Sequence, residues 1–109
     1  MGGRIFVLAL LLLTLALTGC GGRPEPTLEV SAEQRGSGLV ILMKTTNFRL
    51  GQDGHAHVRL NGGPEAMIYS NTYTIPKLDP GVYTIEVELS NVKHENLGIK
   101  QTIQHEVKP

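Results

Sequence analysis

Within residues 82–89 the alternation is strict from Tyr83 on: Tyr83, Ile85, Val87 and Leu89 are apolar or aromatic, and Thr84, Glu86 and Glu88 stand between them. Successive side chains of an extended chain point to opposite faces, so this stretch is a strand with one buried and one wet face. It must lie in an antiparallel sheet packed against something apolar. Six further runs of β-type residues, 27–34, 39–48, 55–61, 66–69, 72–75 and 99–107, are set apart by Gly, Asn, Asp and Pro. After residue 19 no apolar period of 3.6 residues is sustained. The predicted fold class is all-β, and seven short strands predict an antiparallel sandwich.

Asp79-Pro80-Gly81 precedes the alternating strand, and Asp79, Gly81 and Tyr83 follow one another at two-residue steps. That pattern resembles the tyrosine corner of immunoglobulin-like and fibronectin-type domains, where a phenol ties a corner loop to the sixth strand. The resemblance implies an immunoglobulin-like strand order, with residues 82–89 sixth and 99–107 last. Residues 39–43 are apolar at every position. Such a run is either a central strand covered on both sides or a pairing edge, and periodicity alone leaves both open. Asn61-Gly62, followed by Gly63, marks a hairpin between the third and fourth runs, because Asn and Gly accept positive φ at little cost.

At the other end of the chain, Arg4 precedes thirteen residues, 5–17, that are apolar except for Thr14 and lead to Leu17-Thr18-Gly19-Cys20, with the only cysteine present. A transmembrane helix needs about 20 apolar residues. Thirteen, behind a positive start and before small residues, read instead as a helical secretory signal. The last four residues resemble the lipobox of bacterial lipoproteins. That resemblance implies cleavage before Cys20, acylation of its sulfur and further acylation of the new amino terminus. Two or more acyl chains hold a protein stably on a bilayer, at about 0.8 kcal/mol per buried methylene.

The expected layout is a signal peptide over 1–19, a lipidated tether over 20–26 and a β-sandwich over 27–109. Gly21-Gly22-Arg23-Pro24-Glu25-Pro26 favours extended backbone, and with Cys20 it reaches at most about 25 Å. The expected location is the bacterial cell envelope, on the extracytoplasmic side of an outer membrane or of a single cell membrane. Without residues 1–19 the chain keeps nine Lys and Arg against ten Asp and Glu, and no basic stripe of the kind a nucleic-acid partner requires. No thiol besides Cys20 is present to form a disulfide. Packing must therefore carry the stability of one small domain.

The residues that point to chemistry are Gly54-His55-Ala56-His57-Val58-Arg59-Leu60. In a strand, Ala56, Val58 and Leu60 fill one face, and His55, His57 and Arg59 the other. Two imidazoles two residues apart lie about 6.6–6.8 Å from each other along the strand and can converge on one metal. A third ligand is needed. In an immunoglobulin-like order the third strand starts at the end where the sixth finishes, which routes His94, in the following loop, towards His55 and His57. The alternative reading is solvated or hydrogen-bonded histidines, an HxH pair being common on the wet face of a strand.

Other candidates read as structural. His105 shares parity with Ile103 and Val107 and is predicted to be partly buried. Met67 carries a soft thioether of the kind that selects Cu(I), but with a two- or four-residue loop after Asn61 it faces Leu60 or Val58 on the core side, and only a bulged loop would turn it towards the histidines. Met43 lies within an apolar run, and both methionines are predicted to be core. Arg59 is predicted to pair across strands with Glu86 or Glu88. No nucleophile motif, phosphate loop or paired carboxylates in a recognisable cleft occur, and Ser37, Ser70 and Ser90 sit near turns, so no enzyme is expected.

Across about sixty residues, Asn47-Phe48, Gly54-His55-Ala56-His57, Asn61-Gly62, Tyr69, the stretch from Tyr73 to Pro76, Pro80-Gly81 and the stretch from Leu89 to His94 resemble a group of small exported bacterial β-sandwich proteins, similar in build to YtkA-like and cupredoxin-like domains. Some of these are associated with copper handling or envelope complex assembly. Members often carry a histidine where Thr74 stands here, so the resemblance carries over only to His55, His57 and His94. Two functions follow as expectations. One is a membrane-anchored, non-enzymatic module that binds copper or zinc, since imidazole suits either ion. The other is an immunoglobulin-like interaction module that docks on an envelope protein partner through its outer sheet face, without metal.

Overall fold

The computed structural model describes residues 24–109; the expected signal peptide, Cys20 and the expected tether up to Arg23 lie outside the described residues. Seven strands follow: β1 (Thr27–Arg35), β2 (Gly38–Thr46), β3 (Gly54–Leu60), β4 (Ala66–Ile68), β5 (Thr72–Ile75), β6 (Gly81–Asn91) and β7 (Asn96–Val107). They form two antiparallel sheets, ordered β1-β2-β5 and β4-β3-β6-β7. The all-β sandwich expected from the period-two pattern is the fold observed. Its strand order is the immunoglobulin one with the fourth strand beside the third.

The faces sort by parity. Leu39, Ile41 and Met43 of β2 meet Ala56 and Val58 of β3 and Ile85, Val87 and Leu89 of β6 in one buried core. Leu28, Phe48 and Val107 complete it. Each large apolar side chain so buried contributes about 1.5–3 kcal/mol. The strand over 39–43 is the central one of its sheet, between β1 and β5. Its Leu42 reaches the surface, so the run is not fully covered on its second side. The Tyr83 hydroxyl donates to the Asp79 carbonyl at 2.7 Å, the tie expected of a tyrosine corner.

Three local expectations change. The second strand ends at Thr46 instead of continuing to Phe48, because Asn47 turns at φ 58° and sends the Phe48 side chain back into the core. β6 runs on to Asn91 and β7 starts at Asn96, with a register shift between Glu88 and Ser90 that lets the longer pair continue. The third concerns the hairpin after β3. Asn61 (φ 52°) and Gly62 (φ 70°) take left-handed backbone and the Gly63 amide donates to the Leu60 carbonyl at 2.9 Å, closing a loop of odd length. The resulting register pairs Ala56 with Ile68, His57 with Met67 and Val58 with Ala66. Met67 is therefore not a core residue. It lies beside His57 on the outer face, 50% exposed, and Ile68 takes the core side.

Candidate metal centre

β3 and β6 pair from Gly54 opposite Asn91 to Leu60 opposite Ile85. The start of β3 and the end of β6 thus share one end of the sandwich, and the turn after Asn91 folds over His55. Asn91 holds that turn. Its side-chain carbonyl accepts from the Lys93 and Glu95 amides at 2.9 and 3.0 Å, its side-chain amide donates to Glu95 at 2.8 Å, and its backbone carbonyl accepts from the His94 amide at 3.0 Å. These bonds offset the strain of His94 at φ 66°, a backbone region unfavourable to a residue with a Cβ.

His55, His57 and His94 meet as expected. One nitrogen from each lies within 4.8 Å of the others. The Nε2 atoms of His55 and His57 are 2.9 Å apart, a separation at which one ring donates a proton to the other. The His55 ring centroid is 4.8 Å from that of His57, 4.7 Å from that of His94 and 5.1 Å from that of Tyr69. Enclosed by these rings and flanked on β6 by fully buried Ser90, His55 is only 2% exposed. The outer face of β3 is therefore wet at Arg59 but closed at His55. Burial, and then the nearby His57 and His94, push the His55 pKa below its ordinary value. That keeps its imidazole neutral, the form in which it ligates a metal.

His57 is oriented from its far side. Its Nδ1 lies 3.5 Å from a Glu65 carboxylate oxygen, while Nε2 faces His55. A carboxylate at Nδ1 favours the tautomer whose Nε2 lone pair is free for an ion. Arg59 donates to the same Glu65 oxygen at 3.0 Å and to the Gly63 carbonyl at 3.0 Å. Arg59 and Glu86 are cross-strand neighbours, but the expected ion pair between them is not the one formed. Glu65 reaches Arg59 from the hairpin, and Glu86 pairs with Lys100 at 3.3 Å.

His105 stays outside the trio, half-buried opposite Tyr83 at the β6–β7 pair, and Met43 is core. Thr74 pairs with Val40 on the outer side of the other sheet, so a histidine there would not complete this trio. Glu65 and the packing role of Tyr69 escaped the reading of the sequence. Their signal was available in the spacing: Glu65, Met67 and Tyr69 alternate across the hairpin from Arg59, His57 and His55. It becomes legible only once the loop is known to be odd. Compared with known protein families, curated proteins and solved structures, the chain matches none.

The donor set fits a metal of the imidazole-binding kind. The three nitrogens come from two separate segments, His55 is buried and neutral, and His57 is turned by a carboxylate in the manner of a metal ligand. Three protein ligands with a further position open is also a common donor count for zinc.

Proposed function

We propose that this chain is a lipid-anchored, extracytoplasmic, non-enzymatic binding module of the bacterial envelope that holds one copper or zinc ion through His55, His57 and His94. The observation that carries the reading is the convergence of three imidazole nitrogens within 4.8 Å, one of them on a buried ring. Packing alone gives no reason to gather three imidazoles, because protonating any one of them disfavours the next. An ion removes that conflict: it takes the place of the proton between the His55 and His57 Nε2 atoms, and the nitrogens that converge become its ligands. The Leu17-Thr18-Gly19-Cys20 motif supports the anchor, and Cys20 is the residue that would carry it.

Calorimetric titration of the detergent-solubilised protein with Cu(II) or Zn(II) at neutral pH tests the metal reading. One-to-one binding with a submicromolar Kd is expected, with a loss of about 100-fold or more in the His55→Ala/His57→Ala double variant. No heat above the buffer control would assign the histidines a structural role and turn attention to a protein partner at the outer sheet face. The anchor is tested separately, by incorporation of labelled palmitate in bacterial cells. Label is expected in the wild type and none in Cys20→Ser; equal labelling of both would dismiss lipidation at Cys20.

A further inference from the structure

The hairpin that turns Met67 outward sets a thioether directly beside His57, in register, on the face that carries the histidine trio. Directly opposed residues on one face of an antiparallel pair have Cβ atoms about 4.5–5.5 Å apart. Two residues further on, the Tyr69 hydroxyl donates to the Met67 sulfur at 4.0 Å, and the Tyr69 ring leans on His55 at 5.1 Å. Tyr69 thus touches both the sulfur and one ring of the trio. Half-exposed Met67 is also not locked by core packing, and its unbranched side chain has three rotatable bonds with which to reach an ion.

We infer that Met67 is a fourth, soft donor of this site, and that the ion selected by His55, His57, His94 and Met67 together is Cu(I). The inference rests on the metal reading above and narrows it. Zinc takes imidazole readily, but a thioether adds to a site mainly for a soft ion such as Cu(I). Four neutral donors with no carboxylate among them also suit a monovalent ion, since Glu65 is engaged by Arg59 and faces His57 Nδ1. The competing account of Met67 is a sulfur–aromatic contact with Tyr69 that serves packing alone.

Anaerobic competition between the full-length protein in detergent and a chromogenic Cu(I) chelator separates these accounts, with Zn(II) affinity measured on the same preparations. Met67→Leu preserves size and apolarity at a half-exposed position, so the fold should tolerate it. The expected result is a loss of about tenfold or more in Cu(I) affinity with Zn(II) affinity unchanged. A sulfur scatterer in the copper X-ray absorption spectrum should disappear in the same variant, and this comparison cancels any contribution from Cys20. Unaltered Cu(I) affinity and an unaltered sulfur signal would overturn the inference and leave the histidine site standing. Equal losses for both ions would overturn it too, by making Met67 a packing residue. Absence of Cu(I) and Zn(II) binding in the wild type, with no difference from His55→Ala/His57→Ala, would overturn both the inference and its premise.

Discussion

Gly54→Ala is expected to destabilise the metal-free domain by about 3 kcal/mol and to lower its Tm by about 15 °C. A Cβ at this position would lie 1.9 Å from the Ser90 carbonyl oxygen and 2.9 Å from both the Asn91 Cα and the Phe48 ring. Two of these neighbours are backbone of β6, and the third belongs to the core, so none can yield cheaply. Gly54 also opens β3 opposite Asn91, where the His94 turn begins. Relief of the clash would therefore push β3 away from β6 and draw His55 from His94. Metal affinity should fall along with stability. Gly62→Ala is the control, since its Cβ would meet open space and the change costs only the positive φ, about 1–2 kcal/mol. Thermal melts followed by far-ultraviolet circular dichroism decide the matter: a Gly54→Ala melt within a few degrees of wild type would show that β3 shifts freely.

Acidification is expected to weaken both the metal-free fold and metal binding, for one shared reason. The native pKa of His55 lies below its unfolded value because the ring is buried and faces His57 and His94, with Tyr69 and Ser90 as its uncharged neighbours. Between the two pKa values the unfolded chain binds a proton that the native chain does not, so stability falls as pH drops from about 6.5 towards the native pKa. Above about 6.5 both states carry neutral His55 and the contribution is flat. Urea midpoints measured from pH 8 to pH 5 should fall more steeply for wild type than for His55→Gln, and parallel curves would mean that His55 titrates as it does unfolded. For the loaded protein, affinity should drop roughly tenfold per pH unit for each imidazole proton that the ion must displace.

The alternation of Tyr83, Ile85, Val87 and Leu89 was enough to place β6 and its buried face, because side-chain direction along a strand is a local property. The Asp79–Tyr83 spacing was enough to anticipate the corner bond, since both partners lie within five residues. His94 was reachable at one remove, through strand order. Met67 was not. Its face depends on whether the loop after β3 has an odd or even length, and Asn61-Gly62-Gly63 permits either. The burial of His55 was equally hidden, because it is made by Tyr69, Ser90 and His94, none of them a sequence neighbour. The acid that pairs with Arg59 is hidden in the sequence for a related reason: Glu65 approaches from a hairpin whose register depends on the same loop.

Period-two patterning and turn chemistry thus sufficed to define an all-β chain, the buried face of β6 and which histidines share a face. Each is set by neighbours within a few positions. Tertiary structure alone decided how closely the three imidazoles approach one another, that one of them is dry, and that a thioether stands in register beside His57. Those outcomes depend on loop parity and inter-strand register, which couple residues about ten to forty positions apart and shift every side chain to the opposite face when they slip by one.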